Sequence, residues 1–176
     1  QGRFSAGWDR LRQERLERMR LMGIIEKSWP LTKRDWSQPT WEDSSDKAWQ
    51  ERRMEVYAAQ IDRMDQGIGR IVAALKETSQ LDNTLVLFLA DNGACAEEFA
   101  PKAQPLTRNN PSGVMRSREG KTILRGNDPS IMPGTEETFQ SYGVPWANLS
   151  NTPFREYKHW VHEGGIATPL IVHWPC

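Results

Sequence analysis

The stretch Thr84-Leu85-Val86-Leu87-Phe88-Leu89-Ala90-Asp91-Asn92-Gly93 decides the fold that we predict for this sequence. Its apolar residues follow one another without alternation, a pattern typical of a strand that is buried on both faces, as in a parallel sheet. We therefore predict a buried strand over residues 84–90. Leu170-Ile171-Val172 has the same continuous pattern and predicts a second, shorter strand over residues 170–173.

Two polar residues, Asp91 and Asn92, directly follow the first predicted strand. In open parallel α/β sheets, ligands bind beyond the carboxyl ends of the strands. A carboxylate and an amide oxygen at such a place are hard donors that suit Ca²⁺ or Mg²⁺. An Asn-Gly pair also favours a plain turn by itself. The residues alone therefore leave both a metal site and a simple turn open.

Upstream of this strand, residues 49–77 carry one apolar stripe and predict a long helix. The stripe has spacings of three and four residues and consists of Met54, Tyr57, Ile61, Met64, Ile68, Ile71 and Leu75. We expect the stripe to pack into the core; a partner-binding surface is the alternative. A long helix that leads into a buried strand is half of an α/β unit. Residues 1–48 hold a predicted helix over 8–22 and an irregular stretch rich in Trp and Pro, and we interpret them as a helical connector.

A long stretch without periodicity, residues 91–160, lies between the two predicted strands and is interpreted as an active-site loop. Near its end, Lys158 could hold an anionic group as a point charge, or it could be a solvated surface charge. Downstream of it, Gly164-Gly165 would let the backbone bend tightly before the last strand.

The composition of the 176 residues excludes several classes of protein. Lys plus Arg and Asp plus Glu both number 23, so the formal net charge of zero gives no argument for a nucleic-acid partner. No apolar run approaches the roughly 18–20 residues of a membrane span. Two cysteines, Cys95 and Cys176, make neither a disulfide framework nor a zinc site. Because the chain begins at Gln1 and stops just after a predicted strand, we expect residues 1–176 to be a fragment of one domain.

Several of these segments together resemble the sulfatase family of the alkaline phosphatase superfamily, most of all its bacterial arylsulfatases. Residues 57–71 resemble the helix before the family's metal strand, and residues 87–93 resemble that strand and its metal pair. Residues 151–169 resemble the segment that carries the family's sulfate-binding lysine. The combination spans nearly the whole chain and is more specific than any single motif.

The resemblance implies a partial alkaline-phosphatase-like α/β sandwich, in which helices flank a large mixed β-sheet. It implies that Asp91 and Asn92 are two ligands of Ca²⁺, or of Mg²⁺ as in some relatives, and that Lys158 is a catalytic residue that binds a sulfate oxygen of the substrate. The implied activity is metal-assisted release of sulfate from a sulfated alcohol or phenol, either a small molecule or a carbohydrate sulfate ester. We expect no nucleic-acid partner and no membrane span, and the resemblance favours a periplasmic or secreted location.

In one respect the sequence departs from the family pattern. The family's nucleophile is formylglycine, made from Cys or Ser in a Cys/Ser-x-Pro-x-Arg motif, and this motif is absent. Cys95 is followed by Ala-Glu-Glu, and Cys176 is the last residue. We therefore expect the nucleophile upstream of this chain and no hydrolysis by the chain alone. The alternatives are a phosphodiesterase or phosphonate hydrolase of the same superfamily and a non-catalytic cation-binding paralogue.

Overall fold

A computed structural model describes residues 2–107 and 114–175 of the chain, so Cys176 lies outside the described residues. The helices are α1 (Gly7–Leu21), α2 (Lys47–Glu77), α3 (Gly143–Ser150) and the short α4 (Glu163–Ile166). The strands are β1 (Val86–Leu89), β2 (Gln104–Pro105), β3 (Leu124–Arg125), β4 (Thr138–Phe139) and β5 (Leu170–His173). A short 3-10 helix, Leu81–Asn83, connects α2 to β1.

The strands form two small sheets within the described part of the chain. In the first, β1 and β5 pair antiparallel, with Val86 opposite His173 and Leu89 opposite Leu170. In the second, β3 lies in the middle and pairs antiparallel with β2 and parallel with β4. The predicted α/β class is confirmed, with helices and two small sheets in the described residues.

The burial that we predicted for the two apolar strands is wrong for the described residues. Leu87 and Leu89 of β1 are 54% and 58% exposed, and every residue of β5 is exposed. The pairing is also antiparallel, where the continuous apolar pattern had indicated a parallel sheet. Burial on both faces requires a covering layer on each side of a sheet. The described residues leave the two-stranded β1–β5 sheet without such layers.

The core is an aromatic cluster between α1, α3 and the stretch that follows α1. Trp8 and Trp146 are fully buried, and Trp41 is almost so. Their ring centroids lie 4.8 Å (Trp8–Trp41), 5.3 Å (Trp8–Trp146) and 5.9 Å (Trp41–Trp146) apart. Two of the three pairs are edge-to-face, an arrangement that aromatic quadrupoles favour. Of the tryptophans in the connector, Trp41 packs in this cluster, whereas Trp36 is exposed.

Helix α1 ends with a Schellman motif at Gly23. Gly23 has φ +68°, and its N–H donates to the Arg20 carbonyl oxygen at 3.2 Å. The N–H of Ile24 donates to the Met19 carbonyl oxygen at 3.0 Å. These two bonds satisfy carbonyls that the end of the helix would otherwise leave without partners.

Only the first part of the α2 stripe reaches the core. Met54 is 7% exposed, whereas Ile61, Met64 and Ile71 farther along the helix are 42%, 44% and 63% exposed. The buried residues of α2 are all in its first turns. The prediction that the whole stripe packs into the core is therefore wrong for the described residues, because the surrounding elements cover only the beginning of this helix.

The stretch 91–160, which we predicted as one active-site loop, contains three short strands and α3 between irregular segments. This order comes from hydrogen bonds between parts of the stretch itself, such as the N–H of Leu124 to the Glu137 carbonyl oxygen at 2.8 Å. Its assignment to an active site stays a prediction. None of the helices in the described ranges is both long enough and apolar enough to cross a membrane.

Candidate functional site

The end of β1 is joined to the segment before β5 by a group of backbone and side-chain hydrogen bonds. The N–H of Gly93 donates to the Gly165 carbonyl oxygen at 3.0 Å, and the N–H of Lys158 donates to the Ala94 carbonyl oxygen at 3.1 Å. The hydroxyl of Thr168 donates to the carbonyl oxygen of Ala90 at 2.8 Å. Residues that are more than sixty positions apart in the sequence are therefore held side by side.

The side chain of Asn151 lies in the middle of this junction. Its Oδ1 accepts the backbone N–H of Ala94 at 2.8 Å. Its Nδ2 donates to the carbonyl oxygens of Glu156 at 2.7 Å and Gly164 at 2.5 Å. A carboxamide is suited to this position because it accepts and donates at once. Asn151 thus ties the loop after β1 to both ends of the segment that carries Lys158.

Glycine is required where the two segments touch. A Cβ atom on Gly93 would lie 1.7 Å from the carbonyl oxygen of Gly164. A Cβ on Gly164 would lie 2.0 Å from the Arg155 carbonyl oxygen, and one on Gly165 would lie 2.1 Å from the Trp160 carbonyl oxygen. Any side chain at these positions would push the backbones apart. Gly164 and Gly165 lie within α4, so glycine is required there for close backbone approach.

Asp91 and Asn92 lie at the entrance of this junction, directly after β1. Asp91 is exposed and Asn92 is half-buried. Within residues 2–107 and 114–175, neither side chain has a hydrogen-bond or ion-pair partner, so their oxygen atoms are available to a ligand. A carboxylate and an amide oxygen fit a hard cation such as Ca²⁺, which takes about six to eight oxygen ligands.

The described residues supply only part of such a coordination sphere. Among them, no group of three or more His, Cys, Asp or Glu side chains is placed to hold a metal ion. The donor chemistry of Asp91 and Asn92 therefore fits Ca²⁺ or Mg²⁺, and further oxygen ligands would have to complete the sphere.

A cavity of about 640 Å³ opens beside Asp91 and Asn92. One part of its wall is apolar and consists of Met19, Ile24, Ile25, Trp29 and Phe154. Its polar lining includes Arg15 and Tyr57. Cavities of this kind, mostly apolar with a few polar groups, are typical of small-molecule sites.

The backbone of Lys158 is hydrogen-bonded to Ala94 in the loop after β1, but its side chain does not line the cavity beside Asp91 and Asn92. Its Nζ atom lies 2.9 Å from Oε1 of Glu97. The hydrogen bond that the Lys158 ammonium donates to Glu97 raises the pKa of Lys158 and lowers the pKa of Glu97. The ammonium and the carboxylate therefore stay charged over a wider pH range than isolated groups would.

The structure thus places Asp91, Asn92 and Lys158 on two segments that are bonded to each other, without directing all three into one cavity. Sequence reasoning gave no role to Asn151 or Glu97. Both stand in stretches that the sequence marks as candidates, Asn151 at the start of residues 151–169 and Glu97 just after the Asp-Asn-Gly turn. No local pattern indicates the contacts of Asn151 with Ala94 and of Glu97 with Lys158, because each spans more than fifty residues.

Comparison with known proteins adds independent information. The chain is 33% identical over 177 residues to an uncharacterised sulfatase of Schizosaccharomyces pombe, an alignment that covers 99% of this chain and 30% of that protein. It is 32% identical over 180 residues to an arylsulfatase of Klebsiella aerogenes, covering 99% of this chain and 35% of the relative. A steryl-sulfatase of Mus musculus is 39% identical over 119 residues, which are 68% of this chain and 12% of that protein.

The chain spans about a third of the length of the first two of these relatives. A family model described as Sulfatase matches residues 25–176, which include α2, the Asp91-Asn92 turn and the Lys158 segment. The match covers most of the sequence and includes both segments of the junction, and on this ground the chain belongs to the sulfatase family.

Proposed function

We propose that the protein carrying this chain is a sulfuric ester hydrolase, which releases sulfate from a sulfated alcohol or phenol. The observation that supports this most is the junction between the loop after β1 and the Lys158 segment. It combines oxygen donors for a cation with an ammonium group for an anion in a chain of the sulfatase family. Family membership supports a sulfate ester more than the phosphate or phosphonate esters of the wider superfamily.

Asp91 and Asn92 would hold a divalent cation, Ca²⁺ or Mg²⁺. Their side-chain oxygens have no other partner among the described residues, and carboxylate and amide oxygens are the ligands that these cations prefer. A cation there would supply positive charge beside the sulfate group. The exposed Asp91 carboxylate would contribute the negative charge that makes the site selective for a cation.

Lys158 would bind a sulfate oxygen of the substrate. A sulfate monoester carries one negative charge, and further negative charge builds on the bridging oxygen as the sulfur–oxygen bond breaks. A fixed ammonium group near this charge stabilises the transition state more than the ground state. A lysine is protonated at neutral pH, and the raised pKa of Lys158 extends this state further into alkaline pH.

The nucleophile would come from another part of the protein. The family resemblance implies formylglycine, and this chain holds no Cys/Ser-x-Pro-x-Arg motif from which it could be made. The half-buried Cys95 does not fit, since Ala96-Glu97-Glu98 follows it. We therefore expect the 176-residue chain to have no turnover by itself.

The apolar part of the cavity wall favours a substrate with an aromatic or other apolar alcohol. Trp29 and Phe154 lie close to each other in this wall, with ring centroids 5.8 Å apart. Apolar side chains would remove the organic part of the ester from water, while polar groups at the junction would bind its sulfate. A nitrophenyl sulfate is therefore a suitable first substrate.

The test uses the protein expressed from its complete coding sequence and measures sulfate release from nitrophenyl sulfate. We expect Lys158→Ala to lower turnover by about a hundredfold or more, the size of losing one oxyanion donor. Chelation of divalent cations should abolish turnover, and added CaCl₂ or MgCl₂ should restore it. Lys121→Ala is the matched control, because Lys121 is also a paired lysine, bonded to Glu119 and Glu137 at 2.9 Å each.

Three results would contradict the proposal. Full activity of Lys158→Ala would show that Lys158 does not bind the substrate. Full activity without divalent cations would show that the reaction needs no metal. A preference for nitrophenyl phosphate over nitrophenyl sulfate would indicate a phosphoesterase of the same superfamily instead of a sulfatase activity. The control variant should keep wild-type turnover, which separates a local effect from a general loss of surface charge.

A further inference from the structure

We propose that Glu97 is a positioning residue, which fixes the ammonium group of Lys158 in the place where it meets the sulfate. This inference rests on the proposed function, because it assumes that Lys158 binds the substrate. It adds a residue that no sequence motif indicated and assigns it a role through another side chain.

The contact is short and specific. Oε1 of Glu97 lies 2.9 Å from Nζ of Lys158, the distance of a charge-assisted hydrogen bond. A lysine side chain is a flexible four-carbon stem with a compact charge at its end, so the ammonium samples many positions unless a partner holds it. Glu97 is the carboxylate that holds it here, and Lys158 is only about a quarter exposed.

The number of donors on the ammonium group supports a role in positioning. An ammonium has three N–H donors. Within the described residues one points to Glu97, which leaves two for substrate oxygens. The backbone N–H of Lys158 is bonded to Ala94, so residues 94–97 hold the lysine at both ends.

The other charged groups near Lys158 either have different partners or contact Glu97 themselves. The adjacent Glu98 is engaged elsewhere: its Oε2 lies 3.3 Å from Arg53, and its Oε1 accepts the N–H of Val144 at 2.9 Å. His159 lies on the same side as Lys158, and its Nε2 is 3.2 Å from the same Oε1 of Glu97. Glu97 therefore connects two consecutive side chains of the segment that ends in Gly164-Gly165.

The exposure of Glu97 determines which property should change. Its side chain is 52% exposed, and exposed ion pairs contribute little to stability. Removing the carboxylate should therefore leave the fold intact. It also removes a negative charge beside an anion site, which favours substrate binding in the ground state. We expect the cost to fall on the transition state, where the position of the ammonium matters most.

The first experiment compares steady-state kinetics of the complete protein with nitrophenyl sulfate. Glu97→Gln should lower kcat by about 10- to 100-fold, the cost of a misplaced catalytic group. KM should fall, because the negative charge beside the anion is gone, whereas a loss of folded protein would lower the apparent kcat and leave KM unchanged. Glu97→Asp should restore part of kcat, since it returns the charge one carbon short. The matched control is Glu119→Gln, because Glu119 also pairs with a lysine, Lys121, at 2.9 Å.

The second experiment does not depend on activity. Reaction of Lys158 with an amine-specific reagent is followed by peptide mass spectrometry as a function of pH. Glu97→Gln should make Lys158 react faster at a given pH, because the hydrogen bond that raises its pKa is lost. Glu119→Gln should leave Lys158 unchanged and increase the reaction of Lys121, whose pKa is raised by Glu137 and Glu119.

The combined outcomes separate the two proposals. If Lys158→Ala is inactive while Glu97→Gln keeps wild-type kcat, the positioning role is wrong and the proposed function stands. If Lys158→Ala keeps full activity, the substrate role of Lys158 fails, and the role of Glu97 fails with it. Equal reactivity of Lys158 in the wild type and in Glu97→Gln would show that the carboxylate does not hold the ammonium.

Discussion

The aromatic core and the β1–β5 sheet have the same apolar character and opposite environments. Trp8 and Trp146 in the core are 1% and 0% exposed, whereas Phe88 of β1 and Ile171 of β5, which pair across the sheet, are 39% and 59% exposed. The core is closed by residues of this chain that are far apart in sequence, including α1, the connector and α3. The sheet receives no such cover from the described residues.

The difference shows what an apolar pattern does and does not predict. A run such as Leu87-Phe88-Leu89 indicates that its surface favours burial, at roughly 25 cal/mol per Å². It does not identify the element that buries it. The candidate site lies at the end of the exposed sheet. Asn151, which directly follows the core helix α3, connects the two regions by accepting the backbone N–H of Ala94.

The largest loss of stability is expected when one buried indole is removed from the aromatic core. Trp146→Ala deletes a side chain with no solvent exposure, whose Nε1 donates to the Gln50 carbonyl oxygen at 2.9 Å. We expect the free energy of unfolding to fall by about 3–5 kcal/mol, the usual cost of Trp to Ala in a core. Urea unfolding of the complete protein, followed by circular dichroism, measures this change.

Trp36→Ala is the matched control, because Trp36 is 95% exposed. It should change the free energy of unfolding by no more than about 0.5 kcal/mol, as is usual for surface positions. Equal losses in the two variants would mean that the aromatic cluster is not the core of this region.

A second test acts on the junction that holds the candidate site. Gly93→Ala places a methyl group where the Gly164 carbonyl oxygen lies 1.7 Å away. The backbones must separate, and we expect a loss of about 1–3 kcal/mol in stability, typical of overpacking. Turnover should fall as well, because Asp91-Asn92 and the Lys158 segment would no longer be held together. Urea unfolding and the nitrophenyl sulfate assay measure the two effects.

Gly69→Ala serves as the control for this change. Gly69 lies in α2, and a Cβ atom added there would have no neighbouring atom within 4 Å, so the methyl group meets open space. Replacing glycine by alanine in a helix interior raises the free energy of unfolding by about 0.5–1 kcal/mol. A destabilising Gly69→Ala, or a harmless Gly93→Ala, would contradict the packing described for these two positions.

The sequence was sufficient to predict the local elements. Periodicity located α1 and α2 to within two residues. The end of β1 at Leu89 places Asp91 and Asn92 directly after a strand, as predicted. These features depend on near neighbours in the chain, which is why a single sequence determines them.

The sequence was not sufficient for features that depend on distant partners. Burial of β1 and of the second half of α2 requires covering elements, which a periodic pattern does not identify. The Glu97–Lys158 pair joins residues 61 positions apart, and nothing in the pattern around either one indicates the other. The roles of Asp91, Asn92 and Lys158 stay predictions, since they come from the family resemblance and not from the local geometry.

The smallest expected effect concerns the hydrogen bond between Tyr157, which precedes Lys158, and Asp35 in the connector after α1. The hydroxyl of Tyr157, which is 6% exposed, donates to Oδ2 of Asp35 at 2.7 Å. Tyr157→Phe removes this bond, and we expect a loss of about 1 kcal/mol at neutral pH, typical of one hydrogen bond. Urea unfolding of the complete protein measures it, and a double-mutant cycle with Asp35→Asn isolates the pair.

The stability lost in Tyr157→Phe should depend on pH, because the partner of the hydroxyl is the carboxyl of Asp35. Burial alone would raise the pKa of Asp35, but hydrogen bonds from Ser37 and Tyr157 outweigh it and lower the pKa. A carboxyl whose pKa is lower in the folded state contributes stability above its unfolded pKa of about 3.9, and this contribution is lost as the pH falls through the folded value. The difference between wild type and Tyr157→Phe should therefore be constant from neutral pH to about pH 5 and shrink below about pH 4. A difference that stays the same in acid would show that the hydroxyl stabilises the fold through packing and not through the ionised carboxylate.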